Sequence, residues 1–392
     1  MKWIEKELET LAGSSLERSL RVSRTVAESP GYTDRGGGAL LNLSSNDYLG
    51  LAQHPAIIEA MREALLTEGA GSGASRLVTG NRPPYSRLEE ALADWQGCEA
   101  ALVFANGYMA NTGVIGSLLG RGDVVFSDWL NHASIVDGIV LSRAEHVRYR
   151  HKDMEHLRAL LDKHRDKRRK LIVTDAVFSM DGDQAPLHKL VALKQEYEAM
   201  LMVDEAHSGG IYGQQGEGLC HALGLKKDVD IHMGSFSKSF GVYGAYICGS
   251  RTLIRWLVNK ARPLIYSTAL PPSIVSGIAA ALVLVKGEHW RRERLHAASR
   301  FFRSTLSDAG FNVSSGDTPI VPVIIGDNAA TARFSSALEA AGIASAAIRP
   351  PTVPDHTARL RFSLSAVHTD RELIDAAMRI RNVGHQLGVL RP

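Results

Sequence analysis

The chain has 392 residues, of which 45% are hydrophobic and 22% charged, and its formal net charge is +3. That length allows a large core and more than one domain, and the composition is ordinary for a globular protein. Because the net charge is small and the basic residues are scattered, nothing indicates nucleic-acid binding. The three cysteines form no CxxC pair, which favours a reducing compartment and argues against a disulfide framework or a zinc site.

The N-terminal residues and the lengths of the apolar runs bear on the cellular compartment of the protein. Residues 1–8 contain acidic side chains where a secretory signal needs an apolar core. No run reaches the roughly 18 apolar residues that a membrane-spanning helix requires. We therefore expect a cytoplasmic protein with no membrane span. The densest basic run, residues 164–170, has two interpretations: a solvated helix end, or a docking patch for an acidic partner or a phosphorylated carrier.

Hydrophobic periodicity divides the chain into three parts. Residues 1–40 predict an N-terminal helical arm. Residues 41–285 alternate helices with short apolar strands, which is typical of an α/β domain with a mostly parallel sheet. Residues 286–392 predict a smaller C-terminal α+β domain. The strands predicted for the α/β domain are Ala100 to Phe104, Val124 to Ser127, His146 to Tyr149, Leu171 to Thr174, Met200 to Val203, Val229 to Gly234 and Ala245 to Gly249.

The first of these strands ends at small and polar residues that then start a helix, in the run from Phe104 to Asn111. Free N–H groups at such a helix start bind anions. Gly107 would let the backbone approach a ligand closely, and Tyr108 could reach over a bound ring. A plain β–α turn is the other interpretation of this segment.

Several later strands also end next to chemically useful side chains, at the sheet edge where such folds bind ligands. Asp204 follows a buried strand and could keep a buried pyridinium nitrogen protonated, and His207 comes three residues later. His132 offers a flat ring that could stack on an aromatic ligand, and Ser179 offers a hydroxyl. Taken one at a time, these residues are equally explained by helix caps, core histidines or structural hydrogen bonds.

Lys238 lies among small and hydroxyl residues in the run from Gly234 to Gly241, just after a strand-like segment. A lysine amine becomes a useful nucleophile when its pKa is lowered or when it is held as an imine. An exposed loop lysine is the alternative. Metal binding is disfavoured, because no HxxxH or HxH pair accompanies Asp204 and the lysine would remain unexplained.

The order of these segments resembles the fold-type I pyridoxal 5′-phosphate (PLP) enzymes, whose fold is that of aspartate aminotransferase. Within that group the chain is similar to the α-oxoamine synthases over nearly its whole length. These enzymes condense an amino acid with an acyl thioester and release carbon dioxide. The segments that carry the resemblance are Ser44 to Leu51, Asn131 to Ser134, Phe178 to Gly182, Asp204 to His207, Gly234 to Gly241 and Arg349 to Pro354.

The resemblance implies PLP as cofactor and a role for each site residue. Lys238 would hold the cofactor covalently and move a proton, His132 would stack on the ring, and Asp204 would contact the pyridine nitrogen. It also implies a homodimer with the active site at the interface. The further cofactor contacts that it implies are His207 and Ser179 near the phenolic oxygen, Ser235 near the phosphate, and Ser267 and Thr268 reaching the phosphate from the other subunit.

Four branches of the family share these motifs: 8-amino-7-oxononanoate synthases, glycine C-acetyltransferases, 5-aminolevulinate synthases and serine palmitoyltransferases. The runs Ser44 to Leu51 and Arg349 to Pro351 look most like the first branch, which joins alanine to a pimeloyl thioester of coenzyme A (CoA) or acyl carrier protein. The substrate contacts implied are Arg21, Asn46, Thr352 and, for the carboxylate, either Arg349 or Arg361.

An aminotransferase on the same fold is the rival interpretation. Its stacking residue is more often an aromatic side chain than a histidine, so His132 speaks against it. The chain also departs from the family pattern: Ser235 stands where threonine is usual, and Val242 and Tyr243 replace a more glycine-rich run. Serine keeps the hydroxyl, so these departures bear on the acyl chain rather than on the cofactor.

Overall fold

The computed structural model describes residues 1–26 and 29–390, so two residues of the predicted arm, 27 and 28, lie outside it. The strands are β1 (Arg24–Thr25), β2 (Tyr32–Asp34), β3 (Ala39–Asn42), β4 (Ala100–Phe104), β5 (Val124–Asp128), β6 (Glu145–Tyr149), β7 (Lys170–Asp175), β8 (Met200–Asp204), β9 (Ile231–Ser235), β10 (Ala245–Gly249), β11 (Ile320–Gly326), β12 (Ile343–Ala344), β13 (Ala346–Ile348) and β14 (Ala358–Ser363).

Helices follow most of the strands from β4 onward, as the periodicity predicts for the α/β domain. They are α1 (Lys2–Gly13), α2 (Pro55–Glu68), α3 (Pro83–Gln96), α4 (Gly107–Leu118), α5 (Ala133–Ser142), α6 (Met154–Lys163), α7 (Leu187–Glu196), α8 (Leu219–Ala222), α9 (Arg251–Lys260), α10 (Arg262–Ile265), α11 (Pro272–Gly287), α12 (His289–Asp308), α13 (Asn328–Ala340) and α14 (Asp370–Gln386). A π-helical turn spans Arg76–Gly80.

The chain divides into two compact units. The larger contains Leu51–Phe178 and Gln184–Arg292. The smaller contains Met1–Gly50, Ser179–Asp183 and Glu293–Pro392. The predicted arm thus falls in the same unit as the C-terminal residues, because β3 pairs in parallel with β12 and places Leu41 opposite Ile343.

The larger unit is built on a seven-stranded sheet with the order β4-β10-β9-β8-β7-β5-β6. Only β10 runs antiparallel to its neighbours, which confirms the predicted mostly parallel sheet. The ladder continues through polar residues that we expected to lie beyond the strands. Asp128, Asp175, Asp204 and Ser235 each pair with a residue of the next strand.

Helices α4 and α5 cover one face of this sheet with apolar side chains. Val114 and Ile115 of α4 and Ile135 and Ile139 of α5 are fully buried in one cluster with strand residues. Burying a side chain of this size contributes about 1.5–3 kcal/mol. This packing fixes the starts of both helices at the carboxyl ends of the strands, where the predicted site residues lie.

The smaller unit holds two sheets, with the orders β1-β2-β3-β12 and β11-β14-β13. All six residues of β14 are buried, including Arg359 and Arg361. Helix α14 begins with a capping box, in which Thr369 and Glu372 satisfy each other's backbone N–H groups. The predicted smaller C-terminal α+β part is therefore present.

The basic run 164–170 is largely engaged within the larger unit. Arg168 pairs with the buried Asp123 at 2.9 Å, and Lys167 pairs with Glu145 at 2.9 Å. Because acids of the same unit balance much of its charge, the structure favours a helix end over a docking patch. Among the described helices, none combines the length and apolarity needed to cross a membrane.

Candidate active site

Two aspartates lie side by side at the ends of β7 and β8. Asp175 is opposite Asp204 in the parallel ladder, and the two residues are 4% and 3% exposed. Burial, and next the charge of Asp204, raise the pKa of Asp175 well above its usual range. Asp175 accepts the backbone N–H of His132 at 2.8 Å. The strand ends therefore bring two buried carboxyl groups together where the sequence predicts the cofactor ring.

Among residues 1–26 and 29–390, two groups donate hydrogen bonds to Asp204, and both are neutral. Asn111 Nδ2 donates to its Oδ2 at 2.8 Å, and the N–H of Ala206 donates to its Oδ1 at 2.9 Å. A buried carboxylate with only neutral donors retains much of its desolvation cost, and a cationic N–H group would offset it. This environment fits the pyridine nitrogen of PLP.

His132 caps the N-terminus of α5 through its ring. Its Nδ1 accepts the N–H of Ser134 at 3.3 Å and lies 2.7 Å from Ser134 Oγ. The residue as a whole is exposed, but its Nδ1 edge faces the buried Ser134. Loss of water lowers the pKa of His132; the charge of Asp204 raises it, and that of Lys238 lowers it. The structure thus brings His132, Asp204 and Lys238 within electrostatic range of one another.

The half-buried Lys238 lies in the hairpin loop between β9 and β10. Phe236 and Phe240, both fully buried, hold the loop from beneath with their rings 5.3 Å apart. The N–H of Phe236 donates to the carbonyl of Gly244 at 2.9 Å and closes the hairpin. Ser235 ends β9 and accepts the N–H of Ser237 at 3.2 Å. The lysine is therefore carried by an ordered turn.

The predicted anion-binding turn is a capped helix start. Asn106 Oδ1 accepts the N–H of Met109 at 2.9 Å, and the carbonyl of Asn106 accepts the N–H of Ala110. Within residues 1–26 and 29–390, no acceptor bonds the N–H groups of Gly107 and Tyr108. Two donors at a helix N-terminus suit a phosphate.

The side chains of this turn are explained partly by packing. A Cβ atom on Gly107 would lie 2.8 Å from Met233 Cε, the end of a flexible side chain that would have to shift to make room for it. The hydroxyl of Tyr108 contacts the carboxylate of Asp137, one turn along α5 from the site. His207 is buried directly after β8.

Ser267 and Thr268 lie in an extended segment after α10. Thr268 is exposed and bridges to Ser75, while the N–H of Ala269 donates to the carbonyl of Ala74 at 3.0 Å. These bonds fix the segment against the loop that contains Ala74 and Ser75. The action of the two hydroxyls in another subunit stays a prediction.

The predicted substrate residues belong to the smaller unit, as does Ser179. Arg361 is 4% exposed, and the four hydrogen bonds that it donates within the described part of the chain all end on uncharged oxygens. Its partners include the carbonyl of Ser179 at 2.5 Å and Asn46 Oδ1 at 3.1 Å. A buried guanidinium held by neutral acceptors still has its charge available for an anion.

Arg349, Thr352 and Arg21 are held differently. Arg349 contacts the carbonyl of Ser15, and its pKa is lowered by burial and then by the neighbouring Arg18. Thr352 Oγ1 accepts from Arg18 at 3.4 Å. Arg21 is exposed and forms an ion pair with Glu339 at 2.8 Å, beside a cavity of about 650 Å³. In this arrangement the arm, rather than an open cleft, contacts the Arg349 run.

Three polar residues of the site escaped sequence reasoning: Asn111, Ser134 and Asp175. Asn111 lies among the buried apolar residues of α4, and a buried amide requires a hydrogen-bond partner. Its position in the sequence could therefore have indicated a polar site. A separate buried group also went unnoticed, because its members share no metal-ligand spacing. The ligand atoms of Glu205, Cys220 and His232 lie within 4.8 Å of one another. Burial, and then Glu205, raise the pKa of the Cys220 thiol.

The family model of class I and II aminotransferases matches residues 39–380. The chain belongs to this family. Its members include PLP-dependent enzymes of fold-type I, so the fold and the cofactor predicted from the sequence are confirmed.

The most similar curated relatives fall within the branch that the motifs favour. A protein of Geobacillus kaustophilus is 53% identical over 90% of this chain and 91% of its own, and it is named “Putative 8-amino-7-oxononanoate synthase”. A Bacillus cereus protein of the same name is 49% identical over 98% of this chain and 97% of its own. The predicted resemblance to the α-oxoamine synthases is therefore confirmed.

Solved structures agree on the fold. A serine palmitoyltransferase from S. paucimobilis with bound PLP and myriocin is 34% identical, covers 99% of this chain and 98% of its own, and has a TM-score of 0.94. An 8-amino-7-oxononanoate synthase from Francisella tularensis is 28% identical, covers 90% of this chain and 99% of its own, and has a TM-score of 0.78.

Proposed function

We propose that the chain joins L-alanine to a pimeloyl thioester of CoA or acyl carrier protein. The products are 8-amino-7-oxononanoate, carbon dioxide and the free thiol carrier, a step of biotin biosynthesis. The names of relatives 53% and 49% identical support this choice of substrates. The structural observation that carries it is the buried Asp204, held by neutral donors within electrostatic range of His132 and Lys238.

Different residues of the site would contact different parts of PLP. When bound, PLP supplies an electron-withdrawing ring. Lys238 would hold the cofactor covalently, and its free amine would take the α-proton of the amino acid. Asp204 would keep the pyridine nitrogen protonated, and His132 would cover the ring. The other contacts proposed are His207 and Ser179 for the phenolic oxygen and Gly107, Tyr108 and Ser235 for the phosphate.

We assign the amino acid's carboxylate to Arg361 rather than to Arg349. Arg361 is buried, and its four hydrogen bonds end on uncharged oxygens. A carboxylate therefore gains more there than at the partly exposed Arg349, because water weakens the attraction of exposed charges. We assign contacts with the remaining parts of the two substrates to Arg349, Thr352, Asn46 and Arg21.

We further propose a cytoplasmic homodimer in which Ser267 and Thr268 contribute to the partner's phosphate site. The exposure of Thr268 and of its neighbour Tyr266, which is 72% exposed, supports this arrangement. A second subunit would cover these side chains and complete the anion site.

Serine palmitoyltransferase activity is the second candidate, because the structures of that enzyme reach a TM-score of 0.94 at 34% identity. The two functions differ in both substrates. One methyl or hydroxyl on the amino acid changes binding by only ~1–3 kcal/mol, so the acyl chain is the sharper discriminator.

The test presents the purified, PLP-loaded protein with four pairs of substrates. They are alanine with pimeloyl-CoA, serine with palmitoyl-CoA, glycine with acetyl-CoA, and glycine with succinyl-CoA. Thiol release gives kcat/KM, and mass spectrometry identifies the product. We expect the highest kcat/KM with alanine and pimeloyl-CoA. A higher value with another pair would overturn the substrate assignment, and the variant Lys238→Ala controls for non-enzymatic thioester cleavage.

A further inference from the structure

A continuous chain of hydrogen bonds connects Asp204 to His132 through two residues that have no role in the proposal above. The amide nitrogen of Asn111 lies 2.8 Å from Asp204 Oδ2 and 2.9 Å from Ser134 Oγ. Ser134 Oγ in turn lies 2.7 Å from His132 Nδ1. Asn111 and Ser134 are 1% and 0% exposed, so water does not compete for these bonds.

The direction of each bond follows from the one before it. A carboxylate oxygen only accepts, so the group of Asn111 that faces Asp204 must be its NH₂. The second hydrogen of that NH₂ points to Ser134 Oγ, which therefore accepts. The hydroxyl hydrogen of Ser134 is then left to donate to His132 Nδ1.

Two independent observations agree with this direction. The backbone N–H of Ser134 also donates to His132 Nδ1, at 3.3 Å, which requires an unprotonated Nδ1. Asn111 Oδ1 is buried and has no hydrogen-bond partner in the described part of the chain. If the amide were flipped, its oxygen would face the Asp204 carboxylate and repel it. The observed orientation leaves Oδ1 unpaired but allows the NH₂ group to donate to both Asp204 and Ser134.

We propose that Asn111 and Ser134 are positioning residues that hold His132 as the neutral tautomer with its proton on Nε2, by means of hydrogen bonds polarised by ionised Asp204. The charged groups within electrostatic range of the ring are Asp204 and Lys238. Asp175 binds the backbone N–H of His132 rather than its ring. The chain thus fixes both the orientation of the ring and the nitrogen that can donate.

This inference rests on the proposed function only where it assigns the ring of His132 to the cofactor. The tautomer itself is a property of the folded chain. It can be read by nitrogen NMR on PLP-loaded protein in which the histidines carry 15N, without any turnover. The chain has 15 histidines, and the variant His132→Gln identifies the resonances of this one.

The decisive variant is Ser134→Ala, which removes the hydroxyl that donates to Nδ1. Its matched control is Ser142→Ala in the same helix, where a buried hydroxyl donates to the carbonyl of Ile139 at 2.7 Å. We expect the wild type and the control to show a bare Nδ1 and a protonated Nε2. We expect Ser134→Ala to show an increased share of the tautomer protonated on Nδ1, because only the longer bond from the backbone N–H of residue 134, at 3.3 Å, then remains on that nitrogen.

A second readout is PLP affinity, measured by the cofactor's absorbance after dialysis. Asn111→Leu removes both donors of the relay, and the loss of one hydrogen bond to a charged group weakens binding by roughly ten- to a hundredfold. Combined with Ser134→Ala, it should cost less than the product of the two single effects, because the residues act in series.

A wild-type proton on Nδ1, or an unchanged tautomer in Ser134→Ala, would overturn the proposal. Neither result depends on which thioester the enzyme uses. A failure of the substrate assignment would appear in the kinetics of the wild type and leave the NMR result as it is.

Discussion

Asp175 and Asp204 face each other across the β7–β8 ladder, and both carboxyl groups are buried. One of them, Asp204, has the two neutral donors described above, whereas Asp175 accepts the N–H of His132. Two like charges this close disfavour ionisation of both. Burial and the neighbouring Asp204 raise the pKa of Asp175, so its carboxyl group holds a proton more tightly than an exposed aspartate does.

The first prediction concerns stability against pH. The pKa of Asp175 is higher in the folded than in the unfolded chain, so the folded state binds more protons above pH ~4, and stability falls as pH rises from there. Asp175→Asn should remove this decline. Thermal unfolding from pH 4 to 8 measures it, with the exposed Asp94→Asn as control. Parallel curves for wild type and Asp175→Asn would contradict the prediction.

The second prediction concerns His368, which burial holds at a pKa of about 4. This histidine is neutral when folded, so protonation of the unfolded chain lowers stability as pH falls from ~6.5 towards 4. The shift corresponds to about 3 kcal/mol. His368→Asn should flatten the acid limb of the unfolding free energy, since an amide oxygen can still accept the N–H of Ser365. The exposed His289→Asn should leave that limb unchanged.

The third prediction concerns Lys238. Lys238→Ala should bind PLP without a covalent bond, and turnover should fall by a factor of about 10²–10⁴, the usual contribution of a positioned general base. Borohydride reduction followed by peptide mass measurement shows whether the cofactor is attached to the lysine. Near-normal turnover in this variant would refute the assignment of the proton transfer.

The fourth prediction separates Arg361 from Arg349. Arg361→Lys loses the planar fork that binds a carboxylate through two bonds, so the KM for the amino acid should rise by roughly ten- to a hundredfold. Arg349→Lys is the matched control and should change that KM by much less. The reverse ranking would move the carboxylate to Arg349.

The fifth prediction concerns the turn that carries Lys238. Gly241 has a φ of +66°, and a Cβ atom there would lie 2.3 Å from the backbone nitrogen of Ala52. Gly241→Ala should therefore cost more than the ~1 kcal/mol of the backbone conformation alone, and it should weaken PLP binding. The control Gly224→Ala has a similar φ of +72° at a position where an added Cβ atom would have no neighbour within 4 Å. Equal losses of stability in the two variants would show that the close approach of the Cβ atom to Ala52 does not add to the destabilisation.

The sequence alone predicts that the polar residues following the apolar strands lie at one edge of the sheet. His132, Asp204 and Lys238 could be predicted because parallel strands carry their ends to one edge of the sheet. The partners of these residues could not. Asn111 and Ser134 lie inside helices, and only the tertiary packing of α4 on α5 shows which side chains their donors reach.

The exact residue at which a strand ends could also not be predicted from the sequence. Asp175 looks like a loop residue because polar residues are depleted in strands, yet its place in the ladder comes from a neighbouring strand rather than from its own preference. The position of the arm was also invisible in sequence, since the pairing of Leu41 with Ile343 joins segments some three hundred residues apart.

The reversed direction of β10 has a mechanical consequence. Its first residue, Ala245, pairs with Ser235 on one side and with Phe104 on the other. The turn that bears the lysine and the turn suited to the phosphate are thus fastened to the same rung of the sheet. An insertion of one residue between Phe236 and Gly244 would either bulge the hairpin or slip β10 along both neighbours at once. Outside Gly241, the side chains of this loop can therefore be changed more freely than its length.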